Sequence, residues 1–271
     1  MIGFFDSGFG GLTVLKEVVK LLPQYSYLYL GDNARTPYGN RSQEVIYQFT
    51  TEGVGELFKR GAKLVILACN TSSSGALRRI QQEFLPRVYP ERSRRVLGII
   101  IPTAEKIEKF TSTKEVGILA TEATVNSLAY PKEIRKVSPE IRIYQQACPL
   151  LVPVIEAGEI ESLKLEQLIG IYVDNLFSQS SKIDAVILGC THYAIIEGEI
   201  KKHLPQNVKL VSQGPIIAQR LKDYLRRHPE IENRISKNSE RLFFTTENSK
   251  RVRALSGLFY GEPLELEIAS L

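Results

Sequence analysis

The sequence predicts an α/β protein of two pseudo-symmetric parallel-sheet α/β domains, with the functional site in the cleft between them. Two observations carry this. Short apolar runs of strand length alternate with helix-period patterns along almost the whole chain, the arrangement that yields parallel sheets covered on both faces. The second half of the chain also echoes the first: LVILACNTSS, from Leu64, has its counterpart in AVILGCTHYA, from Ala185, and GFFDSG, from Gly3, pairs with GILATEAT, from Gly117, at a similar distance upstream.

Strands are expected at residues 2–5, 25–30, 64–68, 96–101, 115–119, 141–145, 185–188, 209–211 and 242–245, each a short run dominated by apolar residues. Helical spacing puts Leu12, Leu15, Val18, Val19 and Leu22 on one face, then Val45, Ile46, Phe49 and Leu57, and later Leu165, Leu168, Ile169, Tyr172 and Leu176. The Pro-, Arg- and Ser-rich stretch PRVYPERSRR, 86–95, reads as the crossover into the second unit, and HLPQN, 203–207, as the return. The expected division is a discontinuous first domain, residues 1–95 plus 209–271, and a second domain, residues 96–208. Residues 231–239 are polar enough to read as a loose loop.

With 271 residues, 43% of them hydrophobic, the chain can build sizeable cores without metal or disulfide staples. No run approaches the roughly 18 apolar residues of a membrane span, and the start of the chain lacks the basic and apolar regions of a secretion signal. No membrane association and a cytoplasmic location are therefore expected. Cys69, Cys148 and Cys190 are an odd number of cysteines, so free thiols are expected. The net charge of +5 gathers in short clusters at 78–79, 92–95 and 226–228, which read as solvated faces exerting a modest pull on small anions. A nucleic-acid surface would interleave aromatics with a continuous basic stripe, and none is expected.

Ligands of such sheets bind beyond the carboxyl ends of the strands, so Asp6, Asp32 and Cys69 should crown one unit and Thr121, Cys148 and Cys190 the other. Cys69 and Cys190 each end a strand, and each precedes hydrogen-bonding residues, Asn70-Thr71 and Thr191-His192. Two thiols flanking one small substrate suit removal of a proton from one face of a carbon and delivery of another to the opposite face, which is racemisation. A thiol's ordinary pKa of about 8.5 leaves a few per cent thiolate at neutral pH, and a helix N-terminus or imidazolium lowers it. Two thiolates would repel, so the resting pair should hold one thiolate and one thiol. Two other readings compete: each cysteine alone could be a packed strand-end thiol, and Cys69, Cys190 and His192 could ligate a metal, although no CxxC or HxxxH partner exists. Cys148, in ACPLLVP, lacks polar successors and reads as packing.

Asp6 precedes Ser7 and the glycine-rich Gly8 to Gly11, which is neither GxGxxG nor a lysine-bearing phosphate loop. Asp6 could hold a substrate ammonium or tune a thiol and imidazole, while Ser7 and backbone N–H groups hold a carboxylate. The loop GDNARTPYG is either a surface turn or a second carboxylate site, with donors from Tyr38 and Gly39 and with Arg35 either helping or pairing with Asp32. His192, beside Cys190, suits acid-base or thiol-activating work. By composition Glu156 is no more than a helix-end carboxylate. No motif supplies a phosphate cradle, a Schiff-base lysine beside the thiols or a metal ligand set, so no cofactor or metal is expected.

The motifs FDSGFGGLTVL, GDNARTPYG, LACNTSS, GILATEAT, CPLLVPVIEAG and LGCTHY, in this order through nearly the whole chain, resemble those of the bacterial glutamate racemases, within the cofactor-independent aspartate/glutamate racemase family. The resemblance implies interconversion of L- and D-glutamate, supplying D-glutamate for peptidoglycan, with Cys69 as the base for the D-enantiomer and Cys190 for the L-enantiomer. It implies substrate contacts at Asp6, Ser7, Tyr38, Gly39, Asn70, Thr71, Thr121, Thr124, Thr191 and His192, and auxiliary acid-base groups at Asp6, Asp32, Glu156 and His192. Some members of the family are homodimers. Two departures stand out, IIPTAE and SQGP, where relatives commonly carry acidic residues; neither is expected to touch the cysteine motifs. Aspartate or another acidic amino acid is the alternative substrate, and a non-catalytic amino-acid-binding regulatory protein the alternative function.

Overall fold

In the computed structural model, which describes residues 1–91 and 93–271, the strands run in chain order as β1 (Ile2–Asp6), β2 (Tyr27–Gly31), β3 (Leu64–Leu67), β4 (Arg95–Gly98), β5 (Glu115–Ala120), β6 (Arg142–Ala147), β7 (Ala185–Gly189), β8 (Lys209–Val211), β9 (Arg241–Thr245) and β10 (Leu266–Ile268). They form a six-stranded sheet, β10-β9-β2-β1-β3-β4, and a four-stranded sheet, β6-β5-β7-β8, in which every pairing is parallel. The order β6-β5-β7-β8 repeats β2-β1-β3-β4 strand for strand. The echoing segments LVILACNTSS and AVILGCTHYA thus occupy equivalent strands, β3 and β7, each next to the hub strand of its sheet.

The strands are apolar without alternation because both faces are covered. Along β1, Phe4 belongs to a core that also takes in Leu12 and Leu15 of α1 (Gly11–Leu21), whereas its neighbour Phe5 joins Val54 and Leu57 of α2 (Gln43–Lys59) on the other face. The first of these cores continues into the second unit through Leu119 and Leu188, so one apolar mass lies between the sheets, while Ile118, Ile187, Tyr130 and Ile134 close the far side of the smaller sheet. Ser42 caps α2 by accepting the Val45 N–H at 3.3 Å, and Ser162 caps the helix Leu163–Phe177 through the Leu165 N–H at 3.2 Å. All three expected helices therefore form, each starting within two residues of its periodic pattern.

The changeovers between sheets differ from the expected boundaries at 95/96 and 208/209. Leu64 to Leu67 pair with Arg95 to Gly98, so β4 extends the larger sheet, and the chain crosses to the smaller one only between Gly98 and Glu115. Lys209 to Val211 pair with Ala185 to Ile187, so β8 belongs to the smaller sheet, and the return follows Val211. A short apolar run announces a strand but carries no mark of which sheet edge will accept it. The strand expected at 96–101 ends at Gly98 because a helix, Ile100–Ala104, begins there. β10 escapes the sequence reading because it is a three-residue edge strand, Leu-Glu-Ile, with a charged residue at its centre and no apolar run. The stretch 231–239 is no loose loop: it begins within the helix Pro229–Glu232, buries Ile231 and Ile235, and accepts the Ser26 N–H at the Ser236 carbonyl, 2.8 Å away.

Among the basic clusters, Arg78 pairs with Glu133 at 2.9 Å and Arg79 with Glu44 at 2.7 Å, whereas Arg92 lies outside the described residues. Among the described residues no helix is long and apolar enough to cross a membrane.

Candidate active site

Because all strands of a sheet run the same way, their carboxyl ends deliver the site residues to one edge. Asp6 is the last residue of β1, Cys69 follows β3, Thr121 follows β5 and Cys190 follows β7. The two edges meet at a cleft of about 550 Å³, counting its open mouth, and both Cys69 and Cys190 line it. The first unit adds Ser7, Tyr38, Gly39, Asn70 and Thr71; the second adds Thr121, Cys148, Thr191 and His192. Asp6, Asp32, Thr124 and Glu156 are buried and do not line the cleft.

Cys69 is the N-cap of α3 (Asn70–Gly75): its Sγ accepts the Ser72 N–H at 3.4 Å and lies 3.3 Å from Ser7 Oγ. These contacts favour the thiolate, but burial and the nearby Asp6 carboxylate outweigh them, so the Cys69 thiol is pushed up and not, as the helix start alone suggests, down. Cys190 has different company. Its Sγ lies 3.8 Å from His192 Nδ1, and His192 Nε2 lies 2.9 Å from Glu156 Oε1, which also accepts the Thr36 hydroxyl at 3.0 Å. Burial works against charge on the imidazole, yet the hydrogen bonds and negative charge of Cys190 and Glu156 win, holding the His192 pKa well above its ordinary value. A protonated ring has an N–H for each neighbour.

Asp6 is fully buried. Burial pushes its pKa up to about 6, against the pull of His192 and of the Gly8 and Gly11 N–H groups, with Glu156 adding to the rise. Its Oδ2 accepts the Gly8 N–H at 2.9 Å, while Oδ1 has no hydrogen-bond partner among the described residues. Asp32 stands behind Tyr38. It accepts the Tyr38 hydroxyl and, at 2.7 Å, Arg35 Nε; its other oxygen accepts the Thr246 hydroxyl at 2.9 Å. Of the two roles open to Arg35, the structure has the pairing with Asp32, supplemented by Glu52 at 2.5 Å. The Tyr38 hydroxyl proton is thereby engaged with Asp32, although Tyr38 lines the cleft.

The two units interlock around these groups. Thr71 Oγ1 lies 2.9 Å from Thr121 Oγ1 and 3.5 Å from Thr124 Oγ1, and Thr121 donates to Thr124 at 3.0 Å. The Gly39 carbonyl accepts the Ala123 N–H at 3.0 Å, and a Cβ on Gly39 would lie 2.9 Å from that of Thr121. Gly10 is packed still harder against the second unit, since a Cβ there would fall 2.7 Å from His192 Nδ1. The glycines in these loops serve close approach of the two units.

Some participants carried no sequence signal. Pro149, Val152 and Pro153 wall the cleft from the region of the helix Leu151–Glu156. Cys148, by contrast, meets both of its sequence expectations: it is fully buried in the main core, its thiol raised by burial, and it borders the cleft from the second unit. The SQGP departure does touch a cysteine motif, contrary to expectation: Asn70 Nδ2 donates to Gln213 Oε1 at 2.6 Å. A lone glutamine after a strand has no distinguishing pattern, and only the fold brings it to Asn70. Among the described residues no group of three or more His, Cys, Asp and Glu side chains is placed to hold a metal ion.

Residues 8–221 match the family described as Asp/Glu/Hydantoin racemase. The chain is 39% identical to the glutamate racemase of Jannaschia sp. (strain CCS1), over 98% of this chain and 98% of that protein. Among solved structures it is similar to a glutamate racemase isoform from Bacillus anthracis, with a TM-score of 0.89 at 31% identity, over 100% of this chain and 97% of the other. It is also similar to the glutamate racemase of Francisella tularensis subsp. tularensis SCHU S4 solved in complex with D-glutamate, with a TM-score of 0.86 at 33% identity, over 99% and 97% of the two chains.

Proposed function

The chain belongs to the Asp/Glu/Hydantoin racemase family, and on that premise we propose that it interconverts L- and D-glutamate by a two-base mechanism in which Cys69 and Cys190 work on opposite faces of the α-carbon. The observation that carries the proposal is the placement of two cysteines after equivalent strands, β3 and β7, lining one cleft from the two units.

One thiolate takes the α-proton while the opposite thiol gives its proton to the other face, so the substrate loses one proton and gains one. Negative charge gathers on the α-carboxylate as the proton leaves. Donors already fixed at strand ends, on Asn70, on Thr191 and on the backbone N–H groups of Thr71 and Thr121, whose hydroxyls are engaged with each other and with Thr124, stabilise that charge without reorganising, with Ser7 and the Gly39 backbone holding the substrate's carboxylates. Cys190 acts as the base for L-glutamate, relayed by His192 and Glu156. Cys69 acts as the base for D-glutamate with Asp6 behind it, and Thr124 supports Thr71 and Thr121. Asp32 contributes by holding Tyr38. No cofactor takes part in this reading, in which the two thiols carry both proton transfers and the fixed donors carry the developing charge. D-Glutamate made this way feeds peptidoglycan synthesis in the cytoplasm, and a homodimer is the assembly this reading allows.

Circular dichroism of L-glutamate incubated with the protein tests the proposal: the signal should decay to zero, and decay should survive dialysis against a chelator. A static signal with glutamate refutes it, and faster decay with L-aspartate would move the assignment to that substrate.

A further inference from the structure

A buried hydrogen-bonded network sits behind the cleft where the chain passes between the units, and Gln213 is its centre. Gln213 opens the helix Gln213–Arg227 just after the return from the smaller sheet, and its side chain is 4% exposed. Its Nε2 faces the Ile99 carbonyl at 3.3 Å, Thr103 Oγ1 at 3.0 Å and the Tyr130 hydroxyl at 2.9 Å. Its Oε1 accepts from Asn70 Nδ2 at 2.6 Å, and the Tyr130 hydroxyl donates to Asn70 Oδ1 at 2.8 Å.

The direction of every bond follows from one fixed group. The Ile99 carbonyl can only accept, and it already accepts the Thr103 hydroxyl proton at 2.9 Å, so Thr103 Oγ1 also faces Gln213 as an acceptor. The amide nitrogen of Gln213 must therefore face this side, and its oxygen must face Asn70. Asn70 in turn must present nitrogen to Gln213 and oxygen to Tyr130, whose hydroxyl accepts from Gln213 and donates to Asn70. The Asn70 amide has two N–H donors, and Gln213 takes one; the other is left for the cleft that Asn70 lines. Flipped, Asn70 would set its oxygen against Gln213 Oε1 and its nitrogen against a hydroxyl donor.

We infer that Gln213 is a positioning residue of the racemisation site, holding the Asn70 amide so that it offers an N–H donor, and not an acceptor, to a bound carboxylate. The inference rests on the racemase reading above for the identity of that carboxylate. Its physical content is an oriented amide in a site where a group 1 Å out of place is costly. Because Ile99 and Thr103 lie on the outgoing changeover and Gln213 on the return, the same network ties the joint between the units to a cleft residue.

The test is a pair of measurements on the full chain. In the kinetic cycle, Gln213→Met, which keeps the length and loses the polar atoms, should lower kcat/KM about tenfold in the otherwise native protein, and less than about twofold on an Asn70→Ala background. Equal losses on both backgrounds would mean a general structural effect and overturn the inference. Tyr130→Phe should show the same dependence on Asn70, and serves if Gln213→Met does not fold. In the second measurement, the Asn70 side-chain N–H₂ signals, identified by their loss in Asn70→Ala, should shift and exchange with solvent about tenfold faster in Gln213→Met. Unchanged signals overturn the inference whether or not the protein racemises glutamate. An inactive native protein defeats the racemase reading instead, and the amide signals still decide the orientation of Asn70.

Discussion

His192 and Glu156 share a buried hydrogen bond of 2.9 Å between Nε2 and Oε1, although 36 residues separate them in the chain. Because of this bond the two cleft cysteines differ: the ring beyond it reaches Cys190, whereas among the described residues Cys69 Sγ has the Ser7 hydroxyl and the Ser72 N–H as its hydrogen-bond partners.

A first prediction concerns pH. The His192 pKa is raised in the folded protein, so its contribution to stability is fully present below the ordinary value of about 6.5 and is lost as pH climbs through the raised value. Glu156→Gln removes one source of that rise. The variant should therefore melt below the native protein by the largest margin near pH 6, with the margin shrinking as pH increases, in paired thermal melts. A margin that is constant or grows with pH contradicts the assignment.

Asp6 gives a slope of the same sign at lower pH. Its folded pKa of about 6 exceeds the ordinary 3.8, so between these values the unfolded chain gives up a proton that the folded chain keeps, and stability falls as pH rises. Asp6→Asn, which can still accept the Gly8 N–H, should be more stable than the native protein above pH 6 by up to about 3 kcal/mol, and lose that advantage below pH 4. Its racemase activity should nonetheless drop, since the stabilised form lacks the ionisable group beside Cys69.

The two-thiol mechanism specifies where solvent hydrogen goes. In D₂O, early product from L-glutamate should be D-glutamate labelled at Cα while unreacted L-glutamate stays largely unlabelled. Cys69→Ala and Cys190→Ala should each abolish net racemisation yet keep measurable glutamate binding, because the carboxylate donors lie elsewhere in the cleft. Substantial protium in early product, read by NMR, or near-native rates in Cys69→Ala, rules this mechanism out.

The close approach of the units should make Gly10 intolerant of even a methyl group. A Cβ there would lie 2.7 Å from His192 Nδ1 and 2.8 Å from the His192 backbone nitrogen. Gly10→Ala is expected to cost about 1–3 kcal/mol in denaturant titration and to reduce kcat more than KM. The L-to-D direction should suffer most in isotope effects, because the displaced ring serves Cys190. Native kinetics in Gly10→Ala would show that the loop yields freely.

The sequence by itself determined the class of fold, the internal duplication and the two cysteines, because each of these is written locally. Buried parallel strands are apolar throughout, helices repeat at their own period, and LVILACNTSS and AVILGCTHYA match where β3 and β7 end at one edge. Glu156 and Thr124 came from family motifs and not from any property of their own neighbourhoods, whereas the strand end alone put Asp32 near the site and only the motif gave it an acid-base role. Only the tertiary structure decided which sheet β4 and β8 join, because that depends on the strand edge left open by distant segments. Only it placed Asp32 behind Tyr38, joined Glu156 to His192 across 36 residues, and set Gln213 against Asn70 across 143. A buried polar side chain is defined by the partner that satisfies it, and when that partner comes from another strand end or the other unit, no local pattern in the chain records the pairing.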